Sequence, residues 1–98
     1  NLIANGFNIT NDVVLSNFTS FGPSDDGRIK PDLVGSGVAM VSPISTGDRA
    51  YGSLSGTSMS APNVTGTLAL LQELYHRRNN AFMRASTLKG LAIHTVDE

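Results

Sequence analysis

The stretch that most constrains the fold is an amphipathic pattern from about Ser58 to His76, in which Val64, Leu68, Leu71 and Tyr75 recur at i, i+4, i+7 and i+11. That spacing stacks side chains on one face of an α-helix. Leu70 and Leu74 widen the face beyond a narrow stripe, so the helix is expected to be mostly buried. Gly66 and Ala69 are small enough to admit a close neighbour, and the polar run from Gln72 to Asn80 marks emergence into solvent. Arg77 and Arg78 suit the negative end of the helix dipole. A second amphipathic helix is expected to start near Ala85 or Ser86, with Leu88, Leu91, Ala92 and Val96 inward.

Shorter segments precede that helix. Leu2-Ile3-Ala4 reads as a buried strand and Asn8 to Asn11 as a loop; Val13-Val14-Leu15 reads as a short extended piece. Phe18 and Phe21 are expected to anchor a loop, and Pro23 to Gly27 to form a turn. Val38 to Ser42 has little polar alternation, the pattern of a strand covered on both faces. Tyr51 to Ser55, flanked by Gly52 and Gly56, is a further strand candidate and leads directly into the helix.

Composition removes several classes of function. At 98 residues and 40% hydrophobic content, the chain is expected to be one small domain with a modest core, too short to hold a large enzyme complete. A net charge of −1 with seven Lys plus Arg gives no electrostatic footprint for nucleic acid or an anionic membrane. The absence of cysteine excludes disulfides and thiolate metal sites, and no apolar run is long enough to span a bilayer. The start at Asn1 lacks an initiator Met and a basic n-region, so any targeting signal is expected further upstream in a parent protein.

Chemistry concentrates between Gly52 and Gly66, where small and hydroxyl residues occupy a strand-to-helix junction. Ser58 there lies at the positive end of the helix dipole, and its N–H is among the donors a helix start leaves unpaired. Both features stabilise an oxyanion formed on a carbonyl that the serine attacks. Gly56 lets another chain approach the backbone, and Pro62 has no N–H for the Ser58 carbonyl, which is expected to distort the first turn. The plainer alternative is that Thr57, Ser58 and Ser60 simply cap the helix.

Gly56 to Gly66, GTSMSAPNVTG, resembles the active-site serine signature of the subtilisin-like serine proteases at every position that signature restricts. Ser16 to Pro23, Asp26 to Val34, Gly37-Val38 and Tyr51 resemble the segment that precedes the serine in that family. Leu2 to Gly6 is similar to its preceding strand, and Leu88 to Asp97 to its following helix. The resemblance implies that Ser58 is the acylating nucleophile, and that the family's aspartate, histidine and oxyanion amide lie before Asn1. It implies an α/β fold, part of a three-layer α/β/α domain with a mostly parallel sheet, of which residues 1–98 are the C-terminal portion. It also implies peptide or protein substrates, no redox or nucleotide cofactor, and a secreted or cell-surface location. The isolated chain is expected to be inactive, and either to self-associate or to persist beside the rest of its parent domain.

Two departures from the family pattern stand out. Gly35-Ser36-Gly37 replaces the usual Ala-Pro-Gly, which loosens a turn without touching the nucleophile, and Asn63 replaces a frequent His that plays no catalytic part. A catalytically dead homologue acting as a binding domain is the alternative reading; the intact nucleophile signature speaks against it.

Other candidates carry less. His94 and Asp97 lie three apart and with Ser58 make a triad by residue type, but the resemblance assigns them to a supporting helix. His76 is expected to be an exposed helix-end residue. Asn1 and Asn5 fall after the position of the oxyanion amide. Asp25-Asp26-Gly27 lacks the spacing of a calcium loop, and Gly52 to Ser58 lacks the Lys of a phosphate loop. Asn8, Asn17 and Asn63 open glycosylation-type triplets, to which no modification is assigned.

Overall fold

In the computed structural model residues 13–96 are described; the expected strand at Leu2-Ile3-Ala4 lies outside them. The element order is β1 (Met40–Pro43), β2 (Tyr51–Leu54), α1 (Thr57–Asn79) and α2 (Ala85–His94), so the chain carries both helix and sheet. β1 and β2 pair antiparallel with Met40 opposite Leu54 and Pro43 opposite Tyr51. The turn between them closes through Ile44 N–H to the Ala50 carbonyl (3.0 Å) and Ala50 N–H to the Gly47 carbonyl (3.0 Å). Gly52 fits beneath Ile44, whose side chain stands 3.1 Å from where a Cβ would be.

This hairpin departs from the strand expected to be covered on both faces. Val41 is 70% and Tyr51 68% exposed, because among the described residues no second layer packs on either face. Val13-Val14-Leu15 forms no strand, and Phe18 and Phe21 are exposed rather than anchoring.

α1 runs through Pro62 without a break and ends at Asn80, whose left-handed φ of 49° turns its N–H back to the His76 carbonyl (2.8 Å). Asparagine tolerates that conformation well, which makes it an effective stop signal. His76, Arg77 and Arg78 occupy the last turn, as the dipole favours. Contrary to expectation, none of its residues is buried. Leu70 is 67% and Leu74 47% exposed, and a Cβ added at Gly66 would meet nothing within 4 Å. Its apolar sector is broader than what the described residues place against it.

α2 folds back along α1 and buries Ala92, whereas Leu91 and Val96 stay partly exposed. The corner between the helices is fixed by Gln72, whose amide accepts from Met83 N–H (2.8 Å) and donates to the Met83 carbonyl (3.0 Å). His76 is not the free helix-end residue expected. It stacks on Phe82 at 4.4 Å and 6°, with Nδ1 buried and unpartnered among the described residues, because the linker brings Phe82 back over the last turn.

Asp32 ties the loop before β1 to α2 by accepting from Lys30 and from Lys89 (2.9 Å). These donors, Lys30 first, hold the Asp32 carboxyl below its ordinary 3.8, and Asp32 in turn raises Lys89 above 10.5. A depressed carboxyl stabilises the folded state fully above the unfolded value, and the contribution disappears as pH falls through the lower folded value. Asp32→Asn in the full-length protein is therefore expected to speed amide exchange of α2 near neutral pH, with the ratio to wild type approaching one in acid below 3.8. A ratio that stayed constant across that range would refute the assignment.

Candidate active site

Ser58 is exposed as the second residue of α1, directly after the β2 strand and the two-residue link Ser55-Gly56. Gly56 makes this junction possible. At φ 157° and ψ 165° it occupies a backbone region essentially reserved for glycine, and its carbonyl takes both Met59 N–H (3.0 Å) and Ser60 N–H (3.2 Å). No side chain caps the helix, and its first turn holds no acidic residue. The N–H groups of Thr57 and Ser58 consequently have no backbone acceptor among the described residues, and the positive end of the dipole is not neutralised.

The capping alternative fails on this geometry. Ser60 Oγ donates outward to the Gly35 carbonyl at 2.9 Å, while Thr57 and Ser58 make no cap bond. Pro62 leaves the Ser58 carbonyl without its i+4 donor, yet the helix continues, so the expected distortion does not interrupt it.

The segment Gly35 to Ala39 runs against this junction more closely than the sequence implied. A Cβ at Gly37 would lie 2.7 Å from the Gly56 carbonyl oxygen and 2.9 Å from Ser60 Cβ; one at Gly35 would lie 2.5 Å from Val64 Cγ2. Gly37 carbonyl accepts from Gly56 N–H (2.8 Å), and Ser55 Oγ accepts from Ala39 N–H (2.9 Å). The two glycines are thus places of close approach to the Ser58 helix, and not only a loosened turn. Gly35, in place of the usual Ala, was the available signal.

No catalytic partner for Ser58 is assembled by the described residues. No hydrogen bond joins it to a histidine or carboxylate; His94 sits exposed in the last turn of α2, and Asp97, Asn1 and Asn5 lie outside the described residues. Asp26 is engaged by Ser24 (2.6 Å) and Arg28 (2.7 Å), and Gly27 completes the turn at φ 79°. Asn63 is exposed on α1 rather than buried. A concavity of about 1210 Å³ is lined by Thr57, Ser60, Ala61 and Val64 together with apolar loop residues such as Leu15 and Phe18. Those four share one helix face, about 100° round from Ser58. Ser58 does not line it, and its apolar walls fit a packing surface better than a substrate cleft.

The sequence profile of the Subtilase family matches residues 2–98. The chain belongs to the subtilase family. It is 49% identical over 61 residues to the C5a peptidase of Streptococcus pyogenes, covering 62% of this chain and 5% of that protein. It is 36% identical over 80 residues to the PII-type proteinase of Lactococcus lactis subsp. cremoris, covering 81% of this chain and 4% of that protein. The chain therefore spans about 5% of the length of the C5a peptidase relatives. No solved structure matches it.

The close approach at Gly37 yields a direct test. Gly37→Ala in the full-length subtilase is expected to destabilise the junction by about 1–3 kcal/mol, since a backbone oxygen cannot swing aside as a side chain can. Faster amide exchange through residues 56–64 is the readout. Gly47→Ala, whose Cβ would meet only Ala50 at 4.0 Å, serves as control; equal exchange in both variants would exclude the packing argument.

Proposed function

We propose that the protein to which this chain contributes is a serine endopeptidase that hydrolyses peptide bonds through an acyl-enzyme at Ser58. The observation that carries this reading is Ser58 itself: exposed, second in an uncapped helix with no acidic first-turn neighbour, and inside the serine signature of its family. A hydroxyl there attacks the scissile carbonyl and passes its proton to a histidine oriented by an aspartate. The free N–H of Ser58 meets the oxyanion, the histidine returns the proton to the leaving amine, and water releases the acyl group.

Histidine, aspartate and the side-chain amide of the oxyanion hole come, in this reading, from upstream of Asn1. Residues 1–98 are then the C-terminal portion of a three-layer α/β/α peptidase domain with a mostly parallel sheet. The small span of the chain relative to the C5a peptidase and the PII-type proteinase supports that division. So does the radius of gyration, 16.0 Å against about 13 Å for a compact domain of 100 residues. The exposed apolar faces of α1 and the hairpin are covered by the rest of the domain, and substrates are peptides or proteins. The names of these relatives, peptidase and proteinase, support the same reaction, and the location proposed with it is secreted or cell-surface.

A fluorophosphonate probe tests the nucleophile. Full-length protein is expected to be labelled and Ser58→Ala not; equal labelling of both would exclude Ser58, and no labelling of either would favour the catalytically dead homologue. The isolated chain is expected to show no peptidase turnover and to scatter light as an associated species. Turnover by the pure 98-residue chain would contradict the division of the site.

A further inference from the structure

A helix start needs anchoring, and the usual anchor is an N-cap Ser, Thr, Asp or Asn whose oxygen accepts from the second or third residue's N–H. In α1 the second residue is Ser58. A conventional cap would therefore compete for the donor that faces the oxyanion, or for its immediate neighbour. Gly56 stands at the cap position and provides no such acceptor.

The anchoring is done from the side. Gly56 N–H binds the Gly37 carbonyl (2.8 Å) two residues before Ser58, and Ser60 Oγ binds the Gly35 carbonyl (2.9 Å) two residues after it. Ser55 Oγ adds a third tie by accepting from Ala39 N–H (2.9 Å), where Ala39 holds a left-handed φ of 53° unusual for a residue with a side chain. Gly37 is buried and Ser60 half-buried, so these bonds are partly shielded from water. Thr65 and Thr67 in the same helix turn their hydroxyls back onto their own i−4 carbonyls. Ser60 reaches out to another segment instead.

We propose that Ser60 is a positioning residue for Ser58, replacing a helix cap so that the Thr57 and Ser58 N–H groups remain free for the reaction. The proposal rests on the reading of Ser58 as nucleophile. It deepens that reading by assigning the 35–39 segment, with the Ser60 and Ser55 hydroxyls, as the frame that holds the nucleophile in register.

The test compares full-length wild type, Ser60→Ala and Ser58→Ala at 25 °C, well below melting. Steady-state hydrolysis of a peptide substrate is measured alongside the rate of fluorophosphonate labelling. Ser60→Ala is expected to lower kcat and the labelling rate together by about ten-fold, as a small misplacement of a reacting group does, with KM essentially unchanged. An unchanged kcat with only a lower melting temperature would make the hydroxyl merely structural and overturn the proposal, as would a rise in KM alone. Should Ser60→Ala fail to fold, Ser55→Ala is read in its place by the same two rates, and wild-type values there overturn the frame. Labelling that survives Ser58→Ala would instead bring down the nucleophile assignment, and this proposal with it.

Discussion

The 2.8 Å hydrogen bond from Gly56 N–H to the Gly37 carbonyl is the contact on which the surroundings of Ser58 depend. It joins two backbones with no side chain between them, at a place where a Cβ on Gly37 would collide with a carbonyl oxygen. From that contact the hairpin is led into the helix. β2 ends at Leu54, Gly56 adopts a conformation open to glycine, and α1 begins at Thr57 with its first donors unclaimed. The exposure of Ser58, and an N–H with no backbone acceptor among the described residues, follow from a junction made tight enough to need no cap.

The remainder of the described structure is open. Ala92 is the buried hydrophobic residue among those described, and Val41, Tyr51, Leu70 and Leu74 all present apolar surface to solvent. Fixing a backbone costs about 1–2 kcal/mol per residue, and burial of apolar area is the main term able to offset it. With so little burial, local devices have to hold the pieces: the Gln72 clamp on Met83, the His76–Phe82 stack and the Asp32 link to Lys89. Each fixes a corner, and none replaces a core. The broad apolar face of α1 stays largely uncovered among the described residues, and the concavity beside Val64 is part of the same apolar surface.

Local structure was legible in the sequence because it is written in local terms. The period of Val64, Leu68, Leu71 and Tyr75 located α1 over all but its final turn, and the start of α2 at Ala85 matched. The β-prone run at Tyr51 to Ser55 became β2 one residue shorter, and that at Val38 to Ser42 became β1 shifted to Met40–Pro43. The junction that carries Ser58, a strand run meeting a helix start, was legible for the same reason. Burial was not legible, since an amphipathic face states what a helix can cover and not what is present to cover. Nor were the long-range contacts. The stack of His76 on Phe82 depends on how the linker turns, and the reach of Ser60 to Gly35 spans a separation that no periodicity encodes.

Gly35 and Ser60 also explain why an apparent loosening of the family pattern does not loosen the site. Each glycine in the 35–37 turn costs about 0.4–1 kcal/mol through the freedom it gives the unfolded chain. A hydrogen bond between protein groups contributes about 0.5–1.5 kcal/mol net. The two magnitudes are equal within their spread, so the outward bond of Ser60 offsets the glycine beside it without making the junction notably more stable. What the exchange gains is geometric. Without a Cβ at Gly35 and Gly37, two carbonyls come within 2.9 Å of the donors on either side of Ser58, and Ser58 is located by its flanks while its own N–H keeps no backbone acceptor among the described residues.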